Sequence, residues 1–135
     1  MTSAQHSSRS VLVAVWYSVV VLCGLSGAAI TAAEVDYLTQ IKPLLQKHCY
    51  ACHGALRQRG GLRLDTVLLA KRGGESGPAV VSGNLAESLA YQAVTGQAGF
   101  EMPPESEGIP LTEVERALLR RWIEEGARGV ADETP

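Results

Sequence analysis

Cys49 and Cys52 stand three apart with His53 directly behind the second cysteine, inside "QKHCYACHG" over residues 46–54. Two thiols and an imidazole at this spacing suit four chemistries: a disulfide, part of a zinc site, a redox dithiol, or the attachment site of a c-type haem. A bridge between Cys49 and Cys52 would close a very short loop and restrain little of the unfolded chain. A thioredoxin-like dithiol belongs near a βαβ pattern, and none is visible. Zinc asks for four ligands, commonly from two separated pairs, whereas His48, Cys49, Cys52 and His53 share one short stretch with no second pair to close the site. The haem chemistry uses all three motif residues. Both thiols add to the haem vinyl groups as thioethers, and the adjacent histidine reaches the iron from one face. His53 is then the proximal ligand.

The compartment bears on this choice. Arg9 is followed by the uncharged run "VLVAVWYSVVVLCGL" over residues 11–25 and the small residues "SGAAITAA". That order of basic, apolar and small residues reads as a secretory signal peptide over residues 1–33, cleaved before Glu34. The alternative is an uncleaved membrane anchor over residues 10–33, which carry no charge and are long enough to cross a bilayer. Cys23 follows Leu22 rather than the small residue a lipoprotein signal wants, so it reads as an apolar residue of the leader. On either reading residues 34–135 are exported to the periplasm, as one domain. Of the twelve Lys and Arg residues Arg9 lies in the leader, leaving eleven against fourteen acidic residues, a formal charge of −3. That balance gives no reason to expect nucleic acid as a partner. A domain this small buries a modest core, and Phe100 is its only phenylalanine, so it would gain from a large apolar cofactor.

A second axial ligand must come from a short inventory. His48 is tied to the proximal side by its neighbour Cys49 and is expected as an exposed histidine at a helix end. Met102, the one methionine after the leader, stands in "GQAGFEMPPESEG". A lone methionine is usually core filler, but this one sits in a loop rather than on an apolar helical stripe. Gly96 and Gly99 let the backbone bend, and Pro103 and Pro104 stiffen the stretch just after the methionine. Met102 is the expected distal ligand. The three arginines after the motif, Arg57, Arg59 and Arg63, could meet haem propionates or line a solvated basic loop. Glu101, Glu105 and Glu107 read as solvated carboxylates, and Tyr91 and Phe100 as packing residues.

These residues need elements to position them. "EVDYLTQIKPLLQKH" spaces Val35, Leu38, Ile41, Leu44 and Leu45 as a helix leading into the motif, with Pro43 predicting a kink or two short helices. "DTVLLAKRGG" predicts a short helix capped by Asp65 or Thr66 and ended by Gly73. "NLAESLAYQAVTG" predicts one capped by Asn84 and Glu87, with Leu85, Leu89 and Val94 along one side. In "TEVERALLRRWIEEG" Thr112 and Glu115 form a capping box, Val114, Leu118, Trp122 and either Leu119 or Ile123 form the buried stripe, and Gly126 ends the helix. No alternating strand pattern or internal repeat appears. The fold expected is all-α, with Gly-rich loops at residues 54–63, 73–84 and 96–111.

In that order "CYACHG", "GGLRLDT", "GGESGPAVVSGNLAESLAYQAVTG", "MPP" and "LTEVERALLRRWIEEGA" resemble the planctomycete-type cytochrome c domain, a relative of the class I cytochromes c, over residues 36–128. The resemblance implies a small helical domain wrapped around haem c on Cys49 and Cys52, with His53 and Met102 as axial ligands. It implies terminal helices packed against each other beside the haem, with Trp122 and Leu118 in the core. Arg63 falls within the "GGLRLDT" stretch, which favours it as the propionate partner. The implied activity is one-electron transfer to redox protein partners, as a carrier rather than an enzyme. The alternatives are a haem sensor or peroxidase-like unit with an open distal site, and an electron-transfer module opening a larger multidomain protein.

Overall fold

The structure is a computed structural model that describes residues 33–135. The leader, its alternative as an anchor over residues 10–33 and Cys23 fall, but for Ala33, outside the described residues. Among the described residues there are five α-helices and no strands, and no helix is long and apolar enough to cross a membrane. The helices are α1 (Lys42–His48), α2 (Tyr50–His53), α3 (Val67–Arg72), α4 (Leu89–Val94) and α5 (Glu113–Glu124). A π-turn over Tyr37–Ile41 runs straight into α1, and 3-10 turns occupy Arg59–Gly61 and Leu85–Glu87.

The first segment shows how a proline is absorbed. Pro43 sits in the first turn of α1, at the junction with the π-turn, a position where its fixed φ suits the helix. Asp36 caps the preceding π-turn by accepting from the Thr39 N–H at 2.7 Å. The buried stripe is Tyr37, Ile41, Leu44 and Leu45, so Leu38, expected in the core, is 53% exposed. Tyr37 takes the inward place. Its ring stacks on Trp122 with centroids 5.9 Å apart, and its hydroxyl donates to Glu133 at 2.9 Å. Glu133 also pairs with Lys42 and accepts from the Val67 N–H. The C-terminal tail is thereby tied to the π-turn, α1 and α3.

The capping box of α5 forms as expected between Thr112 and Glu115. Its buried face is Leu119, Trp122 and Ile123, with Leu118 packed at the margin. Val114, expected in this stripe, is 78% exposed: eight residues of helix rotate it about 80° from Trp122, and it lies in the first turn. The core joins Ile41 and Leu44 to Trp122, Ile123 and Ala127, and α5 packs against the π-turn and α4. Thr66, not Asp65, caps α3.

The region before α4 departs further from expectation. Asn84 caps the 3-10 turn Leu85–Glu87 rather than α4. Ser88, fully buried, starts α4. Its hydroxyl accepts from the Val81 N–H at 2.9 Å and lies 2.7 Å from the Asn84 carbonyl, to which it donates. Leu85, Leu89 and Val94 are only half-buried; Ala93 is the buried residue of α4.

Candidate functional site: the cleft at the cysteine motif

One turn of helix builds the first wall. The Cys49 N–H donates to the Leu45 carbonyl at 2.8 Å, and the His53 N–H to the Cys49 carbonyl at 2.9 Å. That winding sets Cys49, Cys52 and His53 at i, i+3 and i+4, neighbours on one helical face. The chain then turns sharply at Gly54, where an added Cβ would lie 2.6 Å from the Tyr50 carbonyl oxygen. The loop returns to donate from the Leu64 N–H to the His53 carbonyl at 2.8 Å.

The three motif residues line a cleft of about 250 Å³. Met102 and Pro103 line it from the loop over residues 96–111, and Leu64, Ala79, Leu89 and Ala93 contribute apolar surface. The Met102 N–H donates to the Ala93 carbonyl at 3.1 Å, which fastens the loop to the end of α4. Gly96 and Gly99, at φ +72° and +80°, supply the left-handed bends the sequence predicts there. Further on, Gly108 leaves room for Pro103, whose Cβ is 2.7 Å from where a Gly108 Cβ would stand.

The groups in this cleft have the chemistry a haem asks for. Both thiols are free. Burial first, and the neighbouring Cys52 second, push the Cys49 thiol up to about 12. A redox dithiol needs the reverse, a thiol whose pKa is lowered. His53 carries a buried Nδ1 with no hydrogen-bond partner. Burial holds its imidazole below the usual histidine range, against the smaller opposing effect of the Arg59 and Leu62 backbone, and so favours the neutral form that ligates metals. Among the described residues no three His, Cys, Asp or Glu side chains converge as a metal site made of protein alone. Two thiols, a neutral imidazole and a thioether around an apolar cleft fit a haem.

The arginines and His48 are placed differently from one another. Arg59 lines the cleft and donates to Glu107 at 2.6 Å across its mouth. Arg63, the residue favoured as a propionate partner, is not among the lining residues; its guanidinium holds the Asp65 carboxylate through Nε at 3.0 Å and Nη2 at 2.5 Å. His48 is not the exposed histidine expected from the sequence: its side chain is 2% exposed. Nδ1 lies 2.9 Å from the Ile109 carbonyl oxygen and Nε2 3.0 Å from Glu115 Oε1. Its partners are more than sixty residues away, so no local pattern announces them. Phe100 lines the rim of the cleft, 46% exposed.

Residues 49–106 match the family model described as Planctomycete cytochrome C. No curated protein and no solved structure matches the chain.

Proposed function

From the premise that residues 49–106 form a planctomycete-type cytochrome c domain, we propose that the chain is an exported, periplasmic monohaem electron carrier. The observation that carries this reading is that one apolar cleft gathers Cys49, Cys52 and His53 on one wall and Met102 on another. When bound, the haem supplies one-electron chemistry, its iron cycling between ferrous and ferric. Cys49 and Cys52 would hold it as thioethers. His53 on α2 and Met102 on the loop would be its ligands, and such a pair would favour electron transfer over substrate binding and a higher reduction potential than harder ligands give.

The remaining residues tune that centre. The apolar lining excludes water and disfavours the more highly charged oxidised state, and Phe100 at the rim marks an edge at which a redox protein partner could approach. His48, the other histidine at the cleft, has both ring nitrogens facing oxygen acceptors, so it is no free distal base for peroxide chemistry. Residues 1–33 serve as a cleaved signal, or residues 10–33 as a membrane anchor.

Mass spectrometry of protein matured with a haem-attachment system tests the covalent part. The wild type should carry one haem that survives denaturation, and Cys49→Ala/Cys52→Ala none. A mature, folded wild type without covalent haem would overturn the reading.

A further inference from the structure

We propose that His48 is a positioning residue for Met102, latching the wall that carries the cysteines to the loop that carries the methionine. This rests on the electron-carrier reading and names a residue that controls its distal ligand. His48 is the last residue of α1 and precedes Cys49, whose N–H is held by Leu45. Its side chain leaves that wall and crosses to the Ile109 carbonyl and the Glu115 carboxylate.

Ile109 is joined to Met102 by a compact turn rather than a slack loop. The Glu107 and Gly108 N–H groups both donate to the Pro104 carbonyl, at 2.9 and 3.2 Å. Gly108 is packed so closely on Pro103 that a Cβ would not fit, and Pro103 directly follows Met102. Upstream, the Met102 N–H is fastened to Ala93. The methionine segment is therefore clamped at both ends, by Ala93 on α4 and by His48 on α1. Arg59, in the loop after the cysteine turn, also reaches this segment through Glu107, but that pair is exposed at both partners and such a surface pair fixes little. The His48 side chain, by contrast, is buried and starts from the helix end next to Cys49. Its second partner, Glu115, is itself fixed at the start of α5 by the Thr112 capping box, so the latch is anchored at both ends. The nearby Lys47–Glu115 pair is exposed at the lysine and contributes little to this geometry.

The test is competition for the position Met102 occupies, using haem-bearing protein and imidazole as the probe, with affinity read from the absorption spectrum. Loss of hydrogen bonds to a charged partner and a carbonyl should raise imidazole affinity in His48→Ala about tenfold or more. His48→Gln, which keeps one donor, and Glu115→Gln, which keeps the capping box, should fall between, and Lys47→Ala should match wild type. Should His48→Ala fail to mature, the Gln variants decide. Wild-type imidazole affinity in His48→Gln and Glu115→Gln alike, or in His48→Ala, overturns the proposal. A wild type with no sulfur-to-iron band, binding imidazole no more weakly than Met102→Ala, would instead overturn the ligand assignment, and this inference with it.

Discussion

Cys49 and Cys52 differ from a reactive dithiol by environment rather than by spacing. Cys49 closes α1 in a half-buried position, and burial pushes its thiol up to about 12. At neutral pH almost none of it is thiolate, the form that attacks disulfides or alkylating reagents. In haem-free Cys52→Ala, iodoacetamide should therefore modify Cys49 at least about a hundredfold more slowly than an unhindered thiol, judged from the thiolate fraction. A rate equal to that of a free thiol would show that the cleft does not bury it. His53 is placed by the same logic, since its buried imidazole is held neutral and its Nδ1 has no partner within the protein.

The elements were legible where a local device sets them and illegible where tertiary contact does. Thr112 and Glu115 announce α5 three residues apart, and the box is there. Gly96 and Gly99 announce the bends before Met102, and both have positive φ. Asn84 with Glu87 carries the same local signature but caps only a 3-10 turn, because Ser88 buries its hydroxyl between Val81 and Asn84 and restarts the chain as α4. The cost of truncation should follow burial. Ser88→Ala should lose about 2 kcal/mol by leaving the Val81 N–H unpaired, against about 0.5–1 kcal/mol for Asn84→Ala as a lost exposed cap. Urea denaturation of the haem-bearing variants measures both, and equal losses would return the capping role to Asn84. The spacing of Cys49, Cys52 and His53 and the loop around Met102 are local signals as well, and all four residues line one cleft. The burial of His48 is not legible, because Ile109 and Glu115 meet it only after the chain has folded. Leu38 faces out because the π-turn puts Tyr37 in line with Ile41 instead, and Val114 because the helical period does not say where a core ends.

At the scale of the molecule, the terminal segments hold the domain together around the cleft. Tyr37 on Trp122, Glu133 on Tyr37 and Val67, and His48 on Glu115 each join parts distant in sequence. The last of these makes stability depend on pH. His48 first, then the Thr112 backbone and Lys47, hold the Glu115 carboxyl well below its ordinary value of 4.5. A depressed folded-state value means that the contribution is complete above the unfolded value and is lost as pH falls below it towards the folded one. Wild type should thus lose more stability than Glu115→Gln between about pH 5 and pH 3, the upper part of the window over which such a carboxylate is protonated. Urea midpoints measured across that range would show converging curves; parallel curves would mean that the carboxylate adds nothing to the fold.

On the proposed reading His53 and Met102 hold one iron between them across the cleft. Absorption spectra of the exported protein, oxidised and then reduced, compared with Met102→Ala, test it most directly. The wild type should give a low-spin c-type spectrum whose ferric form carries a weak long-wavelength sulfur-to-iron band, with Met102→Ala losing the band, turning high-spin and falling in reduction potential. A wild type that is already high-spin, or a Met102→Ala spectrum indistinguishable from it, would rule out Met102 as the second ligand.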